Sequence, residues 1–317
     1  MIKYFAKKEV FIVLLIPIMV LAHLLLDIYF PSFNLLAVGQ ENMLNIKFYQ
    51  IDPTISRILA FIFICVNAIL LNFLFNTHEF YDRNIFLPSL FYILLVFLFP
   101  MSLRFGEDLI GHTFFILSLN QVLNIKQNED ARNKTFLAGF FIGLATIFLP
   151  VYIFFIVVVW IGTKSIRPFV LREYVLPLVG IVLSLMWTWL WNPEFYQHFI
   201  AFNSTLDYSR FGNIVIYIPH AITLILLIWA NKQILDRRSK SSIRYKRIIA
   251  VVIYMLLFAL ALSVAILIFF DTYFYFAIGV AILPLILPYA YLGANRKWLP
   301  AIFIYILLVL NIIKFLY

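Results

Sequence analysis

The sequence predicts an all-α, polytopic transmembrane helix bundle with about 11 spans and a cytoplasmic amino terminus. Three observations predict it: a composition that is 64% apolar and 12% charged, apolar runs of membrane-spanning length, and basic residues concentrated in alternate loops. A soluble domain is about 45–50% apolar and about 25% charged, so an ordinary globular or disordered chain is excluded. The single cysteine, Cys65, excludes a disulfide framework and a cysteine-rich zinc site.

Nine apolar runs approach the roughly 20 residues that a membrane helix needs. They cover residues 9–29, 55–76, 85–103, 109–125, 174–191, 214–231, 249–270, 273–293 and 298–316. A further run, from Thr135 to Thr163, would be about 44 Å long as one helix, against a hydrocarbon core of about 30 Å. Pro150 lies near its middle. We therefore expect this run to cross twice, with a tight outer turn at Pro150.

The basic residues set the orientation. With a cytoplasmic amino terminus and two crossings in the long run, 19 of the 24 basic residues lie in cytoplasmic segments. With one crossing, the seven basic residues of 232–247 would face outward, against the positive-inside rule. The net charge of +9 is thus a topology signal, and we predict no nucleic-acid partner. We expect residues 1–317 to form a single transmembrane domain of the bacterial cytoplasmic (inner) membrane, with an uncleaved first span and an outer carboxyl terminus.

Three acids are the candidate catalytic residues of the outer side. Asp27 lies at the outer end of the first run, and Glu107 and Asp108 precede the fourth run. A carboxylate near the hydrocarbon boundary costs free energy, so we expect it to have a pairing partner or a functional role. The functional interpretation is a general base or a metal ligand at an outward cavity. The alternative is an interfacial acid that stays in water.

Four outer residues are candidate ligands for a substrate phosphate, because Arg, Lys and His donate charged hydrogen bonds to phosphate oxygens. They are Arg104, Lys47, Arg210 and His198. A solvated loop side chain is the alternative for each. The sequence contains no phosphate loop, dinucleotide fingerprint, HExxH pair or GxSxG elbow. The type of reaction therefore cannot be inferred from any of these motifs.

The layout of residues 1–190 resembles the GT-C type of polytopic glycosyltransferase. Three features carry the resemblance: Asp27 opening a long outer loop, the Glu107-Asp108 pair, and the Gly-rich stretch Lys134–Thr146 followed by Pro150. Residues 191–317 would be additional spans. The stretch Gln121–Gly180 is also similar to an uncharacterised bacterial multi-pass membrane protein family, which implies no particular chemistry.

The GT-C resemblance implies transfer of a glycosyl or similar group from a polyprenyl-phosphate carrier at the outer face. It implies that Asp27 activates an acceptor hydroxyl and that Arg104 meets the donor phosphate. Glu107 or Asp108 would help with the acceptor or with a divalent metal ion, the one cofactor that the resemblance suggests. The implied partners are membrane lipids and the lipid-linked donor.

Two other functions stay open at this stage. One is a non-catalytic subunit or scaffold of a cell-envelope complex, in which aromatic spans and a surface helix at 195–202 dock a membrane protein partner. The other is a lipid or solute transporter, which requires a polar path through the bilayer midplane. Few midplane residues are polar, namely Asn67, Ser118, Asn120 and Gln121.

Overall fold

The computed structural model describes residues 2–6, 11–29, 42–98, 104–127, 129–194, 214–239, 241–270 and 277–313. Every regular element in these ranges is helical, which confirms the predicted all-α class. The α-helices are α1 (Ile2–Phe5), α2 (Ile12–Tyr29), α3 (Pro53–Thr77), α4 (Leu87–Val96), α5 (Glu107–Leu123), α6 (Arg132–Phe148), α7 (Ile156–Ile166), α8 (Leu171–Trp191), α9 (Ile214–Ser239), α10 (Ile243–Phe270), α11 (Ala277–Val280), α12 (Pro288–Leu292) and α13 (Trp298–Ile313). Short 3₁₀ helices occur at Phe48–Gln50, Pro150–Phe155 and Leu283–Leu285.

Five of the described helices are long and apolar enough to cross a membrane. They are Ile12–Tyr29, Pro53–Thr77, Leu171–Trp191, Ile218–Ser239 and Ile243–Ala265. They match five of the predicted apolar runs. Between 28% and 50% of each apolar stretch is buried inside the protein, so much of the apolar surface faces outward. These helices therefore indicate a multi-pass membrane protein.

The other predicted spans correspond to shorter or broken helices. Every residue of α4 is buried, and its 10 residues reach only about 15 Å. The predicted run 273–293 is not one regular helix in its described part, where Pro284 and Pro288 start separate short turns. Residues 285–292 are buried, and such irregular backbone is tolerated in a membrane where protein covers it. That these shorter or broken segments cross the membrane is still a prediction.

Glycines bring α6 and α8 into close backbone contact. A Cβ atom at Gly139 would overlap the carbonyl oxygen of Pro177, and one at Gly180 would lie 2.6 Å from the backbone nitrogen of Phe140. One turn further along α6, a Cβ atom at Gly143 would overlap the side chain of Ser184. Small residues spaced by four allow such approach between membrane helices. The pair α6–α8 is the most extensive helix contact in the described structure.

The long apolar run reverses its direction at the predicted place. Helix α6 ends at Phe148, Leu149 has extended backbone, and Pro150 begins the 3₁₀ helix that leads into α7. After α7, the Arg167 guanidinium donates a hydrogen bond to the carbonyl oxygen of Glu129, which precedes α6. Both ends of the run therefore lie at the same end of the bundle.

Charged and polar contacts gather at that end. Arg237 pairs with Asp82 at 2.7 Å. The Arg247 guanidinium donates to Gln127 Oε1 at 2.7 Å and to the carbonyl oxygen of Ile166 at 2.9 Å. These bonds join helix ends that are distant in sequence. We call this region the basic end, and its described residues are 78–86, 124–127, 129–134, 164–173, 232–239 and 241–247.

Candidate functional site

A segment of the first long loop lies across helix ends opposite the basic end. The Met43 backbone nitrogen donates to the carbonyl oxygen of Ile147, near the end of α6, at 3.0 Å. The Met43 carbonyl oxygen accepts a hydrogen bond from Asn192, which follows α8, also at 3.0 Å. Met43 is fully buried. The loop is thus part of the packed structure at this end.

Glu107 begins α5 and is bound to that loop segment. Asn42 Nδ2 donates to Glu107 Oε1 at 3.2 Å, and both residues are buried. The Asn42 carboxamide is itself held by Ile46, since it donates to the Ile46 carbonyl oxygen at 2.6 Å and accepts from its nitrogen at 3.0 Å. The asparagine therefore reaches Glu107 with a fixed geometry.

The environment of Glu107 changes its protonation. Glu107 precedes the apolar run 109–125, and burial raises the pKa of its carboxyl to about 7. Hydrogen bonds from its own backbone nitrogen and from Asn42 oppose this rise, and the charge of Asp108 adds to it. A carboxyl with a pKa near neutrality can exchange a proton at physiological pH, as general acid–base catalysis requires.

Asp27 forms an ion pair with a residue of the next helix. Arg57 Nε donates to Asp27 Oδ2 at 2.9 Å, and only 9% of the Asp27 side chain and 22% of the Arg57 side chain are exposed. Next to Arg57, Ser56 Oγ accepts a hydrogen bond from the Phe105 nitrogen at 3.0 Å. The first turn of α3 therefore contacts both the end of α2 and the residues before α5. We call this region the acidic end: Asp27, Arg57, Glu107, Asp108 and the segment 42–50.

A buried polar cluster lies below Asp108, within the bundle. Asn67 Nδ2 donates to Tyr92 Oη at 3.0 Å and to the carbonyl oxygen of Leu109 at 2.9 Å, and Thr113 Oγ1 donates to Asn67 Oδ1 at 2.7 Å. Tyr92 Oη is 3.2 Å from His112 Nδ1. We call Asn67, Tyr92, His112 and Thr113 the inner polar cluster. The hydrogen bonds of this cluster link α3, α4 and α5.

Asp108 lies on α5 between Glu107 and the residues of this cluster. It is 6% exposed and lies one turn before His112 on α5. The hydroxyl of Tyr152 is completely buried and has no hydrogen-bond partner among the described residues. The Tyr152 ring packs against Gly111, also on α5. Buried polar residues inside a membrane bundle are costly, so they are candidates for function as well as for helix association.

The predicted site residues have different surroundings. Asp27, Glu107 and Asp108 are all buried at the acidic end. Lys47 is exposed and Arg104 is half-buried in the segments that flank them. His198 and Arg210, like the predicted surface helix at 195–202, lie outside the described residues. Within the part of the chain that the structure describes, no group of three or more His, Cys, Asp and Glu side chains could hold a metal ion.

Sequence reasoning missed the partners of the acids. Arg57 interrupts an apolar run at its outer end, which is a signal that a buried acid could pair with it. Asn42 carried no comparable signal, because it lies in a long loop and 65 positions separate it from Glu107.

Comparison with protein family models, with curated proteins and with solved structures finds no match to this chain. The resemblance to GT-C-type glycosyltransferases therefore stays a prediction.

Proposed function

We propose that this protein is a polytopic membrane enzyme that transfers a glycosyl or similar group from a polyprenyl-phosphate carrier to an acceptor hydroxyl. The observation that carries the proposal is the buried Glu107–Asn42 contact at the same end of the bundle as the buried Asp27–Arg57 pair. A group that can exchange a proton and a cation that can meet a phosphate are the two requirements of this reaction.

The acidic end faces the outer side of a bacterial cytoplasmic membrane in this proposal. The opposite end holds the basic blocks 124–134, 164–173 and 232–247, and cytoplasmic loops are enriched in Lys and Arg. The hydrogen bond from Arg167 to Glu129 supports two crossings in the long run. The proposed topology has 11 crossings, a cytoplasmic amino terminus and an outer carboxyl terminus. A tag placed after Tyr317 that is accessible only from the cytoplasm would contradict it.

Arg57 is the residue of the acidic end that we assign to the donor phosphate. It is held by Asp27 and remains partly exposed, so a phosphate could share or replace the carboxylate as its partner. A lipid-linked donor enters sideways from the bilayer, which places its phosphate at the membrane interface. The half-buried Arg104 and the exposed Lys47 would assist in the capture of the donor.

Glu107 is a better proton acceptor than Asp27 in this geometry, because a guanidinium engages the Asp27 carboxylate directly. The acceptor hydroxyl passes its proton to Glu107 as its oxygen bonds to the transferred carbon of the donor. The bond from that carbon to the phosphate oxygen breaks, and the electron pair leaves with the polyprenyl phosphate. Asp27 then acts as the residue that positions Arg57.

Three single substitutions test this proposal in isolated membranes. Consumption of a polyprenyl-phosphate-linked sugar is measured for Glu107→Gln, Asp27→Asn and the control Asp52→Asn. Asp52 lies near the same end, is exposed and caps α3 through Thr54 and Ile55, a role that asparagine also fills. We expect Glu107→Gln to lower turnover about 10²–10⁴-fold, as loss of a general base does. Unchanged turnover in Glu107→Gln and Asp27→Asn, with normal membrane insertion, would remove both acids from the mechanism.

The scaffold function is a second candidate because α8 presents a tryptophan-rich end. Trp187, Trp189 and Trp191 are 68%, 56% and 78% exposed. Such residues sit at the membrane interface in many proteins, and they also anchor protein contacts. A photo-crosslinking residue at position 187 distinguishes the two: lipid adducts favour the enzyme alone, and one defined protein adduct favours a subunit of a complex.

The transporter function has less support. Asn67 is bonded to Tyr92 and Leu109, Ser118 Oγ donates to the Ala138 carbonyl oxygen, and Asn120 Oδ1 is 3.1 Å from His78 Nε2. These polar side chains therefore join neighbouring helices. A polar path would instead present them to a central cavity.

A further inference from the structure

The outward face of α8 is an apolar stripe that ends in a cation. Val175, Val179 and Val182 are exposed, and their spacing of three or four residues places them on one face of the helix. Pro177, which packs against α6, lies on the opposite face. Arg172 is exposed three residues before Val175 and belongs to the outward face. Because α8 is long and apolar enough to span a membrane, its stripe meets acyl chains and Arg172 meets the headgroup layer.

The turn that precedes α8 exposes two large apolar side chains. Phe169 is 67% exposed and Leu171 is 65% exposed. The Phe169 ring lies 4.6 Å from the Tyr174 ring, measured between centroids, so the turn packs against the start of α8. Trp160 Nε1 donates to the Tyr174 carbonyl oxygen at 3.0 Å, which adds a third aromatic ring. Aromatic residues gather in this way at the membrane interface.

A second cation lies beside this turn. Lys164 is exposed and follows Trp160 by one helical turn on the same face of α7. Trp160 contacts the start of α8 through Tyr174, and Lys164 is four residues nearer to the end of α7. Lys164 is therefore at the level of the turn. The exposed Phe169 has one cation before it on α7 and another, Arg172, after it on α8.

These two cations have no acid to neutralise them in the neighbouring segments. Every acid of 124–134 and 164–173 is paired with another cation: Glu173 with Arg167, Glu129 with Lys126 and Lys134, and Asp130 with Arg132. Across the part of the chain that the structure describes, neither Lys164 nor Arg172 forms an ion pair. Both are therefore available to an anion from outside the protein.

We infer that the outward face of α8 and the turn before it bind an anionic phospholipid of the phosphatidylglycerol type. Lys164 and Arg172 donate charged hydrogen bonds to the lipid phosphate, and the acyl chains lie against Leu171 and Val175. A choline headgroup would bring a second positive charge to the two cations, and a glycerol headgroup does not. This inference rests on α8 as a membrane helix and does not depend on the proposed transfer reaction, which takes place at the opposite end.

Cross-linking at the turn tests the inference. Benzoylphenylalanine replaces the exposed Phe169, and the full chain is placed in nanodiscs of equal parts phosphatidylglycerol and phosphatidylcholine with identical acyl chains. Mass spectrometry identifies the adducts formed on illumination. Each basic side chain near the surface favours an anionic lipid about fivefold, so we expect phosphatidylglycerol adducts to exceed phosphatidylcholine adducts about 25-fold. Equal yields of the two adducts, or a cross-link to protein in place of lipid, would overturn the inference.

Substitutions assign the preference to the two cations. Lys164→Gln and Arg172→Gln should each lower the adduct ratio about fivefold, whereas Arg172→Lys retains the charge and should retain most of the ratio. Lys297→Gln is the matched control, because Lys297 is also exposed but precedes α13, which packs against α4 and α9, while α8 packs against α6 and α7. The control should leave the ratio unchanged. A wild-type ratio in both glutamine variants, or an equal loss in the control, would overturn the assignment.

Discussion

The two ends of the bundle differ in the solvent exposure of most of their ion pairs. At the acidic end, Asp27 and Arg57 pair with side chains only 9% and 22% exposed. At the basic end, Lys126 and Glu129 pair at 2.6 Å with side chains 58% and 49% exposed, and the side chains of Arg132 and Asp130 are 53% and 64% exposed. Proximity alone therefore does not distinguish the ends. Solvent exposure distinguishes the Asp27–Arg57 pair from these two pairs, because exposed pairs contribute little and buried pairs are strongly coupled to their surroundings. A buried pair also occurs at the basic end, where Arg167 and Glu173 lie 3.2 Å apart with side chains 14% and 3% exposed.

This comparison suggests separate tasks for the ends. Charges that are removed from water keep strong interactions and fixed positions, as a catalytic or binding site requires. Charges that remain in water retain their effect on orientation in the membrane, which depends on their location in loops rather than on their contacts. We therefore expect substitutions of the buried Asp27–Arg57 pair to change stability and activity, and substitutions of the exposed charges at the basic end to change topology.

The largest expected effect comes from breaking the buried ion pair. Arg57→Ala leaves the Asp27 carboxylate buried without its cation, which should lower the free energy of unfolding by about 3 kcal/mol. Replacing both residues with leucine should restore most of the loss, because neither charge is then stranded. Thermal unfolding in detergent measures both variants. Equal losses in the single and the double variant would show that the pair is not coupled.

The second effect is a pH dependence at Glu107. Its pKa is raised from 4.5 to about 7 in the folded protein, so the fold binds a proton that the unfolded chain releases. The contribution of this group to stability is therefore fully present below pH 4.5 and is lost as the pH rises through about 7, by up to about 3 kcal/mol.

The variant Glu107→Gln isolates that contribution, because glutamine is neutral at every pH and retains an acceptor for Asn42. The difference in unfolding free energy between the two proteins should grow between pH 4.5 and 7 in favour of the variant. Asp52→Asn, an exposed control near the same end, should show no such change. A pH-independent difference for Glu107→Gln would contradict the raised pKa.

A third prediction concerns the close contact between helices α6 and α8, which connect the two ends. Gly139→Ala places a Cβ atom against the Pro177 backbone and should destabilise the protein by about 1–3 kcal/mol at every pH. Gly279→Ala is the matched control, since its Cβ atom would meet only Leu283 Cδ1, at the ordinary distance of 3.8 Å. Equal melting temperatures for the two variants would show that α6 and α8 can move apart without cost.

Much of this architecture follows from local properties of the sequence. The all-α class and the five long apolar helices depend on runs of adjacent residues, and Pro150 favours a helix end before it because proline disfavours helical backbone in the preceding residue. The broken backbone after Val280 also has a local cause in Pro284 and Pro288, yet their apolar surroundings resembled an ordinary span. Hydrophobicity reports burial or lipid contact, and it does not report whether a buried segment is regular.

The candidate site could be predicted only in part. The acids stand out because a carboxylate is rare in or next to an apolar run, which identified Asp27, Glu107 and Asp108. Their partners depend on tertiary contacts over 30 and 65 positions. The inner polar cluster was missed for a similar reason, since Tyr92 and His112 are unremarkable until α4 and α5 bring them within 3.2 Å.

The smallest expected effect on stability comes from a substitution at the basic end. Glu129 contacts Lys126 and Lys134, whose hydrogen bonds hold the pKa of its carboxyl below the usual range. Because this group is open to water, Glu129→Gln should leave the melting temperature unchanged, and added salt should not alter that result. Arg247→Ala is the informative contrast at the same end, because it removes hydrogen bonds to Gln127 and to the buried Ile166. A loss of stability in Glu129→Gln as large as that in Arg57→Ala would remove the distinction between buried and exposed ion pairs.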